Sequence, residues 1–310
     1  MSVHKQLQET SLRYFYEVVR CGSLSEASAR LHVAVSAISR QITLLETALG
    51  TTLFERRPRG MAPTPAGELL AAHVRRLGLE TERVVEDIQA LQGLQRGTVR
   101  IASSEGFAIE FLPNMITQFR KRHQGISFRL DVSAPADVTA KVRQGDCDIG
   151  LTFSRQAEKD IRVEHRQPAP VLVLMLPDHP LAVEKSVALA QLLPYPLALP
   201  TADTTLRQVI DIACSREQLV LEPVLTSNRI ESLYNFVLTG GGITLTGAVA
   251  AHRSVASGAM VAVPLKAASI AMRDIELQTL MGRTLPAAVQ AFIAYLKESL
   301  VATSPLSPQA

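Results

Sequence analysis

Residues 22–60, GSLSEASARLHVAVSAISRQITLLETALGTTLFERRPRG, decide how the chain is read. They form two short amphipathic helices joined by a tight turn, followed by a basic hairpin. Leu24, Ala27 and Leu31 give one apolar face; Ile38, Ile42, Leu45 and Leu49 give a second, longer one at helical spacing. Away from that second stripe the helix displays Ser36, Ser39, Arg40 and Gln41. A helix of this kind suits a DNA major groove: its buried side fixes the pose, and its outer side offers donors to bases and phosphates. Leu49-Gly50 is a helix stop. The following TTLFERRPRGMAPT reads as two short extended pieces around a Pro-Arg-Gly turn. This wing carries Arg56, Arg57 and Arg59, placed to lie along phosphate or to enter the minor groove.

Upstream, Leu12, Phe15, Tyr16 and Val19 make a first helix that closes a three-helix core, and Gly22 ends it. Of the two serines before the second helix, Ser25 is the better cap than Ser23, because Ala27 to Leu31 then follow as helix interior. Downstream, Thr64-Pro65 opens a long helix, with Thr64 as cap, Pro65 at the first helical position and Glu68 in the first turn. It is expected to run to about Leu94. Leu70, Val74, Leu77, Thr81, Val84, Ile88 and Leu91 fall on an alternating four-three spacing, a seam with one polar member. Some 30 residues at 1.5 Å each span roughly 45 Å, too long to be covered by a small head domain. A self-pairing helix is therefore expected, giving the homodimer with two reading heads that a two-fold operator requires.

The charge agrees with this division. The 310-residue chain has a formal net charge of +3, and residues 1–63 hold eight Lys and Arg against five Glu, so the whole excess sits in the head. A polyanion-binding head on a neutral body is the simplest reading. With 47% hydrophobic and 20% charged residues, the composition is that of a globular protein with a sizeable core. No window of about 18 residues is apolar enough to span a membrane, and MSVHKQLQETSLRYF has no apolar signal core, so a cytoplasmic location is expected. Cys21, Cys147 and Cys214 are odd in number and far apart, which argues against a disulfide framework and against a Cys-rich metal site.

Beyond a Gly93–Gly97 closure, strands and helices alternate. VRIAS (99–103), SFRLDV, DCDIGLTF, VLVLML (171–176), PLALP (196–200), VLTSN, GGITLTG, MVAVPL and IELQTLM are read as strands. Helices are read up to Phe119 and Arg122, over 136–144, near 205–214, from Ile230 to Leu238 and over 286–300, before a disordered Ser/Pro tail at 301–310. Alternating βα units mean α/β architecture, mostly parallel sheet, with ligand sites beyond the strand C-termini. Candidates are the turns where a strand end meets a helix start. Ser103, Ser104 and Gly106 form the first such turn; Thr201, Asp203 and Thr204 form an opposing one. Ser133, Thr152, Phe153 and Asn228 complete the ring. Ordinary helix capping uses the same residue types. Asp203 facing inward would repel an anion, which leaves a neutral or amino-bearing ligand open, and Arg207 is placed to pair with Asp203 or to hold a carboxylate.

Over nearly its full length the chain resembles a LysR-type transcriptional regulator. The blocks that carry the resemblance are LRYFYEVVRCGSLSEASARLHV, SRQITLLETALGTTLFER and PTPAGELL, with RIA before FLPNMITQF, QGDCDIGLTF, and TGGGITLT further on. The resemblance implies a fold of the α/β class with an N-terminal α-helical winged helix-turn-helix domain, a long linker helix, and a two-lobed effector domain like the type 2 periplasmic binding proteins. Its expected bounds are 1–64 for the DNA-binding head, 65–95 for the dimerisation helix and 98–300 for the effector domain. Lobe one is expected at 98–163 plus 267–300, with lobe two, 164–266, inserted. The resemblance also implies a bacterial homodimer or homotetramer on double-stranded promoter DNA, a small-molecule effector between the lobes and no cofactor or metal. Binding of the effector would alter DNA bending or RNA polymerase contact. Ser104 matches a family position that commonly carries a ligand-binding hydroxyl, whereas Gly106 stands where a second hydroxyl is frequent. DNA contacts are assigned to Ser25, Val35, Ser36, Ser39, Arg40, Gln41, Arg56, Arg57 and Arg59.

One block departs from the family. Where Ser-Gln-Pro usually opens the recognition helix, this chain has Ala34, Val35 and Ser36. An amide able to read a base edge is replaced by a valine, which offers only apolar contact such as a thymine methyl. Other classes find little support. There is no Gly-x-Ser-x-Gly elbow and no His-Glu-x-x-His, and the seven histidines are scattered. Gly240-Gly241-Gly242 lacks the Lys-Ser/Thr of a phosphate loop and reads as a helix-to-strand turn. Asp146 and Asp148 shape a turn at a strand entrance rather than form an acid/base pair. A dimeric small-molecule binder without a DNA role, and an α/β enzyme, remain as the alternatives.

Overall fold

The apolar stripes read from residues 12 to 54 meet in one small core. Phe15, Val18, Ala27, Ile38, Ile42 and Leu45 are buried together, with Leu53 and Phe54 closing the cluster and the Phe15 and Phe54 rings 5.3 Å apart. The computed structural model describes residues 9–57, 60–91, 97–154, 158–266 and 273–302. The chain divides between Val85 and Glu86 into two units.

The first unit opens with α1 (Glu9–Cys21), α2 (Leu24–Leu31) and α3 (Val35–Leu49), followed by the hairpin β1 (Phe54–Arg57) and β2 (Gly60–Pro63) and by α4 (Pro65–Leu91). Gly22, at φ +64, ends α1, and its carbonyl accepts from the Met61 amide at 2.7 Å. A Cβ at Gly60 would lie 2.3 Å from that same Gly22 oxygen, so the approach of the wing to the helical turn requires glycine. Gly50, at φ +67, caps α3 as expected. Thr64 caps α4, its Oγ1 accepting from the Gly67 amide at 3.1 Å.

Three expectations fail here. Ser23, not Ser25, caps α2: Ser23 is extended, its Oγ accepts from the Glu26 amide at 3.4 Å, and Ser25 already lies inside the helix. Leu49 is exposed at the end of α3, beyond the reach of the core that takes Ile38, Ile42 and Leu45. Leu70 and Val74 pack against the head core beside buried Ala71, so the first turns of the seam belong to the head. From Leu77 onward the seam is open: Leu77, Val84 and Ile88 are 47%, 42% and 52% exposed. The described helix runs to Leu91; the turn residues 58–59, with Arg59, the linker closure at 92–96 and the tail from 303 lie outside the described residues.

The second unit carries two sheets. The five-stranded sheet has the order β4-β3-β5-β13-β6, from β3 (Gly97–Ser103), β4 (Ile126–Val132), β5 (Ile149–Ser154), β6 (Ile161–Pro168) and β13 (Asp274–Leu280). The six-stranded sheet has the order β10-β9-β11-β7-β12-β8, from β7 (Val171–Met175), β8 (Val187–Ala188), β9 (Leu197–Pro200), β10 (Leu225–Ser227), β11 (Ile243–Gly247) and β12 (Val261–Lys266). The first sheet is covered by α5 (Glu105–Ala108), α6 (Phe111–Arg120), α7 (Pro135–Gln144) and α11 (Ala287–Ala302), the second by α8 (Thr205–Arg216), α9 (Ile230–Leu238) and α10 (Ala248–Ala256). Each has its own core: Phe107, Phe119, Leu151 and Phe292 in one, Val173, Leu199, Ile210 and Leu245 in the other.

The sheets are mixed rather than mostly parallel. β13 runs antiparallel to both β5 and β6, and β7 antiparallel to both β11 and β12, because the chain leaves and re-enters the first sheet. The lobe boundary expected between residues 163 and 164 falls within β6, which pairs with β13 from Ile161 to Pro168, so the first crossing follows Pro168. β12 ends at Lys266 in the second sheet, and Arg273 and β13 are back at the first. A hydrogen bond from the Ala169 amide to the Arg273 carbonyl, 2.9 Å, ties the two crossings together.

Candidate functional site

The outer side of α3 presents Val35, Ser36 and Arg40 to solvent, with Ser39 half-buried. Ala34 takes the N-cap position with no side-chain hydrogen bond, so nothing replaces the missing hydroxyl. Gln41 is less free than expected: its Oε1 accepts from Ser11 Oγ at 2.6 Å, which ties α3 to α1. Ser25 is exposed on α2. Arg56 and Arg57 are exposed on β1, Arg57 beside Glu55 at 3.4 Å. Among the described residues Arg40 and Arg56 form no ion pair, so their charge remains available to a polyanion, whereas Arg30 is neutralised by Glu17 and Glu26.

Between the two sheets of the second unit lies a cavity of ≈ 320 Å³. The first sheet contributes Ser104, Gly106, Ser133 and Phe153; the second contributes Thr201, Asp203, Thr204 and Asn228, all expected from the sequence. Ser103 and Thr152 do not line it. Ser103 is buried behind the turn, and Thr152 Oγ1 lies 2.9 Å from Ser104 Oγ, where it orients that hydroxyl. Several of the lining hydroxyls are already committed. Ser133 Oγ donates to Asp131 at 3.0 Å and accepts from Lys141 Nζ at 2.7 Å. Thr204 caps α8, accepting from the Arg207 amide at 3.2 Å. Thr201 Oγ1 differs: it is a buried atom with no hydrogen-bond partner among the described residues. Arg207 does not meet Asp203; it pairs with Asp211, one helical turn on, at 2.8 Å.

The cavity also holds residues that the sequence did not single out. Tyr234 and Thr246 bond through their hydroxyls at 2.6 Å, and burial pushes the phenol well above its ordinary range. Glu105, on the first sheet's side, accepts from the Ile230 amide at 3.2 Å, and Arg229 lies 3.8 Å away. Arg273 is 2% exposed, and its guanidinium carbon lies 4.1 Å from the centre of the Phe153 ring. Its Nε and Nη2 are buried without a hydrogen-bond partner among the described residues. Burial lowers its pKa to about 10, which still leaves it cationic at neutral pH. Nothing local announced this residue: an arginine two positions before IELQTL looks like any strand flank, and only the return crossing brings it to the cavity.

Residues 10–68 match the family model described as a bacterial regulatory helix-turn-helix protein of the lysR family, and residues 92–301 match the LysR substrate binding domain. The chain is 28% identical over 243 residues to the RuBisCO operon transcriptional regulator of Allochromatium vinosum, covering 78% of this chain and 80% of that one. It is 33% identical over 172 residues to a probable transcriptional regulator, LrrA, of Synechococcus elongatus, covering 56% and 58% of the two. Among solved structures it is similar to a full-length OxyR variant from Pseudomonas aeruginosa, with 20% identity, a TM-score of 0.68 and coverage of 94% and 95%.

Proposed function

The chain belongs to the LysR family of DNA-binding transcriptional regulators, with a helix-turn-helix head and an effector-binding domain, and we propose that a small molecule held between its two lobes governs how that head engages promoter DNA. The family is one of regulators and not of catalysts. The observation that carries the reading is the cavity between the sheets, whose walls hold buried polar atoms without partners among the described residues, Thr201 Oγ1 and two nitrogens of Arg273. Buried polar groups are normally satisfied, and a cavity with such exceptions in its walls suits a polar ligand.

On the DNA side, Ser36, Ser39 and Arg40 of α3 read the major groove, Val35 meets a thymine methyl, and Arg56 and Arg57 of the wing follow the phosphates. Arg59 takes part on the sequence reading alone. The exposed Leu77, Val84 and Ile88 are the surface through which α4 forms a homodimer, the unit from which a homotetramer is assembled. The regulator acts in the cytoplasm; among the described residues no helix is long and apolar enough to cross a membrane. Effector binding alters DNA bending or contact with RNA polymerase.

A gel-shift titration on the native promoter tests this reading. Arg40→Ala abolishes the specific complex, and Ser104→Ala and Thr201→Ala leave basal binding intact while blunting the response to effector. Unchanged binding by Arg40→Ala overturns the groove assignment. A full effector response in both cleft variants overturns the cleft.

A further inference from the structure

We propose that the effector is a compact organic monoanion whose carboxylate is held by the Arg273 guanidinium in the interlobe cavity; this rests on the cleft being the effector site. A cation taken out of water without an acceptor is among the costliest arrangements a fold can hold, and a buried charge is normally paired. Arg273 is such a cation: it is 2% exposed, lines the cavity, and has no hydrogen bond at Nε or Nη2 among the described residues. Those two nitrogens are adjacent donors on one edge of a planar fork, the spacing that a carboxylate's two oxygens match. The Phe153 ring covers one face of the guanidinium and fixes its plane, and Phe153 is in turn stacked on Phe107 at 4.7 Å between centroids. A hypothetical Cβ on Gly247 would stand only 3.2 Å from Nη2, so the fork is confined from that side also. The guanidinium's plane is set by these neighbours, but Nε and Nη2 are themselves enclosed, so a carboxylate reaches them as that edge shifts along the Phe153 face toward the open space.

The acids in the same cavity do not compete. Glu105 is engaged by the Ile230 amide and Arg229, and Asp203 is exposed, where water screens it. The remaining walls specify the rest of the ligand. Thr201 Oγ1 offers one unbonded hydroxyl, while Phe153, Leu233 and Leu245 supply apolar surface. A single buried guanidinium suits one negative charge better than the two or more of a phosphate ester. A ring or short-chain acid with a hydroxyl fits both the chemistry and the ≈ 320 Å³ volume.

The test is thermal unfolding of the full-length protein with benzoate, cyclohexanecarboxylate and 3-hydroxybutyrate, each beside its primary amide, and with inorganic sulfate and phosphate. We expect at least one acid to raise the Tm while its amide does not. Arg273→Met should remove that response, Arg273→Lys should weaken the affinity by about tenfold or more, and Ser104→Ala should weaken it less. Ligand-free Arg273→Met should unfold no earlier than wild type, because it removes an unpaired buried charge. Amides that stabilise as well as acids, a response that survives in Arg273→Met, no response to any acid, or a response confined to sulfate or phosphate each overturn the carboxylate anchor. If a response persists but depends on Ser104 and Thr201, the cleft stands and only the anchor falls. If it is indifferent to all three residues, the cleft falls too.

Discussion

The Glu105 carboxylate, carried by the short helix after β3, accepts a hydrogen bond from the Ile230 backbone amide of the other lobe at 3.2 Å. Ile230 is the first residue of α9, so the carboxylate satisfies an amide that the helix itself leaves unbonded. Burial raises the Glu105 pKa above its ordinary value of 4.5, outweighing the lowering by the Ile230 amide and by Arg229. A raised pKa means that folding disfavours the charged form. The contribution is therefore full below the ordinary value and is lost as pH rises through the raised one. Glu105→Gln should flatten the Tm-against-pH curve in that window, leaving the rest of the profile in place. An identical slope in the variant rules out Glu105 as its source.

Asp148 stands at the opposite extreme of commitment. It is buried in the five-stranded lobe, accepts from the Arg100 amide at 2.8 Å, and pairs with the Arg100 and Arg283 guanidinium groups at 2.9 and 2.8 Å. The turn-shaping role read from GDCDIG thus extends to clasping two distant segments. Asp148→Ala leaves buried Arg283 uncompensated and should cost about 3–5 kcal/mol in urea unfolding. A loss under about 1 kcal/mol, the range of a surface pair, would reject the clasp.

Legibility followed the range of the interaction. The head was readable because its signals are local: the apolar period of α3, the glycine stop at Gly50 and the Thr64-Pro65 start all act within a turn of helix. Errors arose where two local choices were nearly equal, as between Ser23 and Ser25, or where a nearer partner intervened, as Asp211 did for Arg207. β6 was not read as a strand because RVEHRQ is polar and charged, and its pairing partner β13 comes more than a hundred residues later. Of the cavity, the strand-end hydroxyls were legible as residue types at turns. Arg273 and Glu105 were not, since their roles depend on which lobe the chain returns to.

The linker offers a direct test of assembly. Leu70 and Val74 are used by the head, which leaves Leu77, Val84 and Ile88 as an uncovered apolar row on α4. Such a row one helical face wide is what a partner helix covers. Ile88→Glu should shift the protein toward monomer in sedimentation velocity, whereas Leu69→Glu, an equally apolar but more exposed position on α4, should not. Equal behaviour of the two variants would remove α4 as the pairing surface.

The start of α3 is where stability and recognition separate. Ala34 provides no capping oxygen, and the amides of Ala37 and Ile38 turn to its backbone carbonyl at 3.0 and 3.3 Å. Ala34→Ser should stabilise the head by about 1 kcal/mol. Because residue 34 is exposed and outside the core, the gain should appear in urea unfolding with little change in DNA affinity. The wing arginines should behave in the reverse way. Arg56→Ala should lower the slope of log affinity against log salt by about one, with weakening nearly uniform across DNA sequences and unfolding unchanged. A sequence-dependent loss at Arg56 would instead assign it to base reading. An unaltered salt slope would remove the wing from the DNA interface.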